Sequence, residues 1–283
     1  MKDLHLQHID FDYSFSETYE LSILFRQNGI SFIITKHNHE QLLTVHHESF
    51  DENKNTSYDD YCKAVFQHKA FSYTYKKVSC LFSTERCTIA PVLLYAQNDL
   101  ETIFTVNHLL HDKEILESYK IKNAESFIIY PILQELHALC TQTFGANLHI
   151  YPHIAPLFES AMLQSKQSEK TQMYISIQKS FFDMLIVQDS HILFYNTFTF
   201  SNINDYIFYV MNVFEQLQLN PMQIPVVLTG RTPASYVDAT EMFIKNVETI
   251  SPLPSHKKMI QQPPFSEISF PYFYSLFCCN ICE

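Results

Sequence analysis

The chain is poor in glycine, with Gly29, Gly145 and Gly230 as the only three in 283 residues. Loops that close around a phosphate group use glycine because positive φ and close backbone approach are nearly free for it and costly for most other residues. So few glycines leave few places for such a loop. We therefore expect the usual equipment for nucleotide chemistry to be incomplete in this protein.

Basic residues are also few, with 19 Lys and Arg against 30 Asp and Glu, which gives a formal net charge of -11. A protein with this excess of negative charge repels the phosphate backbone of a duplex on average. We therefore expect no nucleic-acid partner.

Long apolar runs are missing as well. No stretch approaches the roughly 20 apolar residues of a membrane-spanning helix. The start, Met1-Lys2-Asp3-Leu4-His5, lacks the basic segment and apolar core of a secretory signal. We expect a cytoplasmic protein without direct membrane insertion. The cysteines fit a reducing compartment, because their odd number and irregular spacing favour buried thiols over disulfides; they lie at 62, 80, 87, 140, 278, 279 and 282.

Apolar residues make up 46% of the chain, enough to fill the cores of two compact domains. Apolar runs predict the same order of elements in both halves, strand, strand, strand, helix and strand, about 150 positions apart. The predicted strands lie at 21–25, 30–34, 42–45 and 78–82, and again at 173–177, 182–187, 192–198 and 226–229. The predicted helices lie at 58–68 and 204–219, and turns are predicted at Asn28-Gly29 and His37-Asn38.

This order predicts an α/β protein with a duplicated fold, each copy containing one mixed sheet. The polar run at 164–172 is the best linker candidate, so we expect a first domain at 1–165 and a second at 166–283. After Gly230 the pattern predicts a helix at 234–246, a proline-rich segment, and a final aromatic helix at 272–282. We expect this last helix to pack back onto one of the domains.

The repeated order of elements resembles the actin-like ATPase fold, a ribonuclease H-like fold shared by sugar kinases, Hsp70-type chaperones and pilus-assembly ATPases. Residues 174–231 are similar to the second domain of pilus-assembly and type II secretion members. More closely, the chain resembles an uncharacterised bacterial family, a domain of unknown function with an actin-like fold. The likeness covers nearly the whole chain and is carried by Tyr19-Glu20-Leu21-Ser22-Ile23, Cys87-Thr88-Ile89-Ala90-Pro91, Tyr130-Pro131-Ile132-Leu133 and 191–200.

The resemblance implies where a nucleotide would bind. Active members carry an Asp and a Gly in the first hairpin of each domain, which organise the metal-bound water and approach the phosphates. Here the two hairpins read Phe25-Arg26-Gln27-Asn28-Gly29 and Ile177-Gln178-Lys179-Ser180-Phe181. Neither contains the acid, and the second lacks the glycine, so the two-sided phosphate clamp is absent.

A third element of the superfamily is a strand that ends in two glycines against which adenosine packs. In this chain the strand ends in Thr229-Gly230-Arg231, with Arg231 in place of the second glycine. A bulky side chain at this position intrudes where the nucleoside would lie. Two alternatives stay open: Arg231 is a surface arginine after a strand, or it binds an anion.

Other candidate sites have plainer explanations. Cys279 and Cys282 form one Cys-x-x-Cys pair, but tetrahedral zinc needs two further ligands, so we expect structural cysteines. His37 and His39 lie in a turn, and the adjacent His46 and His47 point to opposite faces of a strand, so we expect no metal site there. No context singles out a nucleophile. We expect no catalytic residue, no metal and no cofactor.

Three hypotheses of function follow. The preferred one is a catalytically inactive actin-like protein that works by binding another protein. The second is a degenerate cleft that still binds ATP or another phosphorylated ligand, with Asn28, Gly29, Thr229, Gly230 and Arg231 as its candidate residues. The third is a cytoplasmic scaffold subunit resembling those of pilus or secretion platforms.

Overall fold

A computed structural model describes residues 3–36, 41–50, 63–95, 99–168 and 170–282. The strands are β1 (Leu4–Gln7), β2 (Tyr19–Arg26), β3 (Gly29–Lys36), β4 (Gln41–Ser49), β5 (Lys77–Phe82), β6 (Thr88–Pro91), β7 (Glu114–Lys120), β8 (Ser126–Leu133), β9 (Leu148–Pro152), β10 (Gln172–Ile177), β11 (Phe181–Gln188), β12 (His191–Thr199), β13 (Val226–Gly230) and β14 (Val247–Thr249). The α-helices are α1 (Leu100–Thr105), α2 (Gln134–Phe144), α3 (Ala155–Ser165), α4 (Ile203–Gln216), α5 (Ala234–Glu241), α6 (Pro254–Ile260) and α7 (Phe270–Phe277).

The first sheet contains six strands in the order β1-β4-β3-β2-β5-β9. Strands β2, β3 and β4 are consecutive and antiparallel, whereas β5 and β9 run parallel to β2. Strand β2 is buried along its whole length, and β3 along all but its last residue. Because both of their faces are covered, these strands appear in the sequence as continuous apolar runs.

The second sheet repeats this arrangement with the order β12-β11-β10-β13-β14. The register is irregular between Ile34 and Thr35 in β3 and again between Ile186 and Val187 in β11, at the sixth and seventh positions of each strand. The predicted duplicated α/β fold is therefore confirmed down to a local irregularity of the backbone. The predicted division at residue 165 stays a prediction.

The segment between β5 and β9 forms an additional unit that the sequence pattern did not predict. Its three short strands make a separate sheet in the order β6-β8-β7, and α1 packs against β6 and β8. Helix α2 follows β8 directly and leads back to the first sheet. Strand β1, also not predicted, covers the outer edge of β4.

Three predicted helices, at 204–219, 234–246 and 272–282, correspond to α4, α5 and α7 and differ from them at the ends, whereas α1, α2 and α6 were not predicted. Helix α4 begins after Asn202, whose side chain accepts hydrogen bonds from the backbone N–H groups of Asn204 and Asp205. Helix α5 ends at Glu241, earlier than predicted, because the chain turns there to enter β14. Of the predicted helix at 58–68, residues 63–65 are helical and 58–62 lie outside the described residues, as does the predicted turn at His37-Asn38.

The final helix, α7, lies between the two sheets and contacts β2, β3 and β13. Its side chains Phe273, Leu276 and Phe277 are fully buried. The six described cysteines are all buried free thiols, including Cys279 and Cys282 just after this helix. In the described part of the chain, no helix is both long and apolar enough to cross a membrane.

Two of the three glycines are required by close contact between strands. A Cβ on Gly29 would lie 2.3 Å from the carbonyl oxygen of Glu48, and one on Gly230 would lie 2.2 Å from that of Ile177. Both distances are far shorter than a van der Waals contact. The two oxygens belong to the backbone and cannot move away freely. Gly145 also has positive φ, +56°, but has open space around it. Gly29 and Gly230 are therefore explained by sheet geometry alone.

We expect Gly230→Ala to destabilise the protein far more than Gly145→Ala. Both substitutions place alanine at positive φ, a backbone conformation that strains any residue with a Cβ. Gly230→Ala adds the clash with Ile177, which we expect to cost at least about 2 kcal/mol more. Urea unfolding of the two variants measures the difference. Equal losses of free energy would show that the strand contact is unimportant.

Candidate functional site

The two hairpins that the resemblance assigns to phosphate binding meet at the seam between the halves. The first turn contains Gln27 and Asn28, and the second contains residues 178–180. The Ser180 hydroxyl donates a hydrogen bond to Oε1 of Gln27 across the seam, at 3.3 Å. The hairpin turns are therefore in direct contact with each other.

The backbone around both turns is bonded in the same way. The N–H of Phe50 donates to the carbonyl of Asn28 at 2.9 Å, and the N–H of Phe200 donates to the carbonyl of Ser180 at 2.9 Å. These bonds make Ser180 the structural counterpart of Asn28. Each turn is thus hydrogen bonded to the residue that directly follows the third strand of the repeated order, which is β4 in the first half and β12 in the second.

The candidate residues at the end of β13 also bond to the protein. The N–H of Arg231 donates to the carbonyl of Ile177 at 2.7 Å, and the hydroxyl of Thr229 donates to the carbonyl of Pro271 at 3.2 Å. Gly230 lies between them against Ile177. The structure places Asn28 and Gly29 at the first hairpin, and Thr229, Gly230 and Arg231 beside the second. Their binding of a ligand stays a prediction.

Arg26 is a buried cation beside the candidate site that the sequence pattern did not single out. Its guanidinium is buried and donates to the Ser31 hydroxyl at 2.6 Å and to the Tyr272 carbonyl at 2.8 Å. It also lies over the Tyr272 ring, 4.4 Å from the centroid. Burial lowers the pKa of Arg26, and the nearby positive charge of Arg231 acts in the same direction. Arg26 joins the first hairpin to the start of α7.

His47 extends this network to β4. Its Nδ1 is 2.9 Å from the Ser31 hydroxyl, and its Nε2 is 3.3 Å from the Tyr272 hydroxyl. Burial, followed by the charge of Arg26, lowers the pKa of His47 to about 4. The ring is therefore neutral at neutral pH, which lets it accept as well as donate hydrogen bonds.

His46 has different surroundings, as its position next to His47 on a strand predicts. Its Nδ1 is 3.2 Å from Nδ1 of His5, and its ring stacks on Phe32. Burial lowers the pKa of His46 to about 4, with further lowering from His68 and His5. His37 and His39 lie outside the described residues. His46 and His47 do not converge on one site.

A second buried cluster joins the halves. Nε2 of His153, just after β9, is 2.8 Å from Oδ2 of Asp183 in β11, and both side chains are almost fully buried. The other carboxylate oxygen of Asp183 accepts hydrogen bonds from the Tyr195 hydroxyl at 2.8 Å and the Thr197 hydroxyl at 2.9 Å. No sequence motif marks this cluster, because its members come from three separate strands or strand ends.

A cavity of about 360 Å³ lies beside the first hairpin, between the ends of β2 and β5 and the inserted unit. Its lining is mixed, with seven apolar residues and five polar or charged ones. The lining residues are Phe25, Gln27, Phe50, Phe82, Ser83, Thr84, Arg86, Glu114, Pro131, Ile132, Leu133 and Leu136.

The charged residues of this cavity neutralise each other. Arg86 binds Glu114 through both of its terminal nitrogens, with Nη1 donating to Oε2 at 2.9 Å. Glu114 also accepts from the backbone N–H of His111 at 2.9 Å. Burial opposes ionisation of Glu114, but the bonds from Arg86 and His111 outweigh it and lower its pKa. Arg86 is thus occupied by a carboxylate, which disfavours phosphate binding in this cavity.

The family of this chain follows from its sequence as a whole. The model of one protein family matches residues 8–247. The chain belongs to that family, which is described as Protein of unknown function (DUF3822). No curated protein matches the chain. The membership confirms the predicted resemblance to an uncharacterised family.

Solved structures confirm the predicted fold. A protein of unknown function with an actin-like ATPase fold from Bacteroides thetaiotaomicron is 23% identical, with a TM-score of 0.78 over 89% of this chain and 99% of that chain. The PilM-PilN type IV pilus biogenesis complex contains a chain that is 10% identical, with a TM-score of 0.58 over 93% of this chain and 97% of that chain. At these identities the likeness shows the fold alone.

We expect His47 to make the protein less stable in acid. An unfolded histidine has a pKa near 6.5, whereas that of folded His47 is about 4. Its contribution is therefore complete above pH 6.5 and is lost as the pH falls toward 4, by at most roughly 3 kcal/mol. His47→Gln should flatten the fall of unfolding free energy between these pH values, measured by urea unfolding. An exposed control, His191→Gln, should keep the wild-type slope; the same slope in both variants would contradict the assignment.

We expect Asp183→Leu to destabilise the contact between the halves. The substitution places a larger apolar side chain at a fully buried position and leaves His153, Tyr195 and Thr197 without their shared buried acceptor. The expected loss is about 3 kcal/mol or more. Asp238→Leu on the exposed face of α5 is the matched control and should change stability by about 0.5 kcal/mol or less. Thermal or urea unfolding measures both, and similar losses would refute the role of the cluster.

Proposed function

We propose that this protein is a catalytically inactive member of the actin-like fold that acts by binding another protein. The observation that carries the proposal is the direct contact between the two hairpin turns, from Ser180 to Gln27 at 3.3 Å. In active members of the superfamily these turns hold phosphates between them and supply carboxylates. Here neither turn has a carboxylate, and their side chains bond to each other.

The groups that could receive a nucleotide already have protein partners. Two donors at the end of β13, the N–H of Arg231 and the hydroxyl of Thr229, are hydrogen bonded to carbonyls within the chain. Gly29 and Gly230 are needed for strand contacts. A nucleotide at the seam would have to break some of these bonds, and the free energy of doing so weakens its binding.

The cavity beside the first hairpin is the proposed docking site for the partner. Its volume of about 360 Å³ holds one or two apolar side chains, and its walls include Phe82, Ile132 and Leu136. Its only described cation, Arg86, is paired with Glu114. These properties suit an apolar anchor from a partner protein better than they suit a phosphate.

The likeness to a chain of the PilM-PilN complex supports the scaffold form of this proposal. That fold was solved in a complex for type IV pilus biogenesis, with a TM-score of 0.58 to this chain. We extend from it only the kind of role: a cytoplasmic subunit that holds a second protein of an assembly. The partner of the present chain is identified by the experiment below.

A second candidate function is binding of a phosphorylated ligand at the seam. It is favoured by the positive charge of Arg231, which lies close enough to Arg26 to lower its pKa. Two positively charged groups that interact with each other attract anions to this part of the seam. This version uses Asn28, Gly29, Thr229, Gly230 and Arg231 without requiring catalysis.

Titration with ATP and magnesium separates the two functions. We expect no binding heat and no thermal shift, because the two hairpin turns lack the metal-organising acids and a nucleotide would compete with their bond to each other. A ligand present at 100 times its dissociation constant would stabilise the fold by about 2.7 kcal/mol, which a thermal shift detects readily. Saturable binding that Arg231→Ala abolishes would favour the second function, and magnesium-dependent turnover would refute inactivity.

Capture of partners from cell extract tests the docking site. We expect Thr84→Trp, which fills the cavity, to lose the captured protein, because the anchor can no longer enter. Glu241→Trp, at an exposed position at the end of α5, is the matched control and should retain it. Mass spectrometry identifies the protein. Equal capture by both variants would show that the partner binds elsewhere.

A further inference from the structure

The free edges of the sheets differ in how well they are protected. Edge strands expose unpaired backbone groups, and proteins usually shorten them, charge them or place proline in them. Five described edges follow this rule. Four of them are short, with three to five residues: β1, β6, β9 and β14. Of these, β6 and β9 end in proline. The fifth edge, β7, carries Glu114, Glu117 and Lys120. β12 departs from this rule.

Strand β12 has nine residues, His191-Ile192-Leu193-Phe194-Tyr195-Asn196-Thr197-Phe198-Thr199, without any Asp, Glu, Lys, Arg or Pro. It pairs with β11 from His191 to Thr199, with one bulge, at Leu193. On its other side, no backbone hydrogen bond joins it to another described segment. The strand is thus a long, uncharged edge in a chain with a net charge of -11.

The duplication shows what kind of element fits this edge. In the first half, the counterpart of β12 is β4, since both are the third strand of their sheet and lie beside the second. The edge of β4 is covered by β1, which runs antiparallel to it from Leu4 opposite His47 to Gln7 opposite Thr44. Among the described residues of the second half, no strand takes this position. The fitting element is therefore an extended strand that runs antiparallel to β12.

We propose that β12 pairs with β12 of a second copy of this chain and forms a symmetric dimer. Two identical antiparallel strands are related by a two-fold axis, so the contact is closed and stops at two copies. Two copies of a chain with this net charge repel each other over most of their surface. Along β12 no charged side chain opposes another in any register, so this strip is where two copies meet most easily.

The strand is held in position before it pairs. Phe198 stacks on Phe182 with centroids 5.3 Å apart, and the Tyr195 hydroxyl donates to Asp183 at 2.8 Å. Little ordering is therefore required when a second strand arrives. Leu193 is 49% exposed and gains apolar contact with the arriving strand. The dimer surface is distinct from the cavity beside the first hairpin.

The oligomeric state tests the proposal. We expect sedimentation of the full chain, at roughly 1 to 100 µM, to show a dimer that dissociates on dilution. Asn196→Lys, near the centre of the strand, should raise the dimer dissociation constant at least about tenfold, because like charges then oppose each other. Met242→Lys, at a position that is 77% exposed on the second half, is the matched control and should dimerise as wild type does.

Two variants of opposite charge at Asn196 distinguish a loss of strand pairing from a loss of folding. Asn196→Glu should weaken the dimer in the same way, and an equimolar mixture with Asn196→Lys should restore it as a mixed pair. Amide hydrogen exchange in β12 should slow on going from monomer to dimer. A wild-type chain that stays monomeric over the whole range, or a dimer that neither charge weakens, overturns the proposal. A foreign strand bound to a monomeric chain overturns it as well.

Discussion

The seam between the halves depends on the buried guanidinium of Arg26. A charge removed from water is tolerated only when its donors are bonded, and here the acceptors are the Ser31 hydroxyl and the Tyr272 carbonyl. The start of α7 must therefore lie against the first hairpin. The same charge helps keep His47 neutral, so that its ring bonds to Ser31 and Tyr272 at once. One cation thus fixes three strands and the returning helix.

The contact between the hairpin turns is made within the chain, by one side-chain hydrogen bond. With α7 held against both β2 and β13, the two hairpin turns come within hydrogen-bond distance of each other. His153 and Asp183 add a second buried link between the halves. Because the chain itself supplies all of these contacts, the arrangement of the halves needs no bound phosphate to hold it. The loss of the phosphate-binding acids therefore carries no penalty in stability.

Sequence patterns predicted the parts of the fold that are governed by local burial. Strands covered on both faces, such as β2, β3 and β11, appear as apolar runs, and α4 has both a cap and an apolar face. Strands β1 and β6 were missed because they have four residues each, and β7 because most of it is only partly buried. Strand β8 is long and mostly buried, so its length and burial do not explain why it was missed. The absence of an acid from both hairpin turns could be read directly from the sequence. The Arg26 network and the link from His153 to Asp183 could not be, since each brings together residues that only the folded chain makes neighbours.

The differences between the two copies are more informative than their shared features. The register irregularity, the bond from Phe50 to Asn28 and its counterpart from Phe200 to Ser180 recur because the fold requires them. The inserted unit and its cavity occur in the first half alone, and the long uncharged edge at β12 belongs to the second. Neither feature is needed to make a sheet of this topology, since the other half is built without it. The inserted unit also adds Tyr119, Tyr130 and Ile132 to the main core, so its sheet contributes to folding. The apolar cavity walls and the uncharged edge are the features on which the two proposals of protein contact rest.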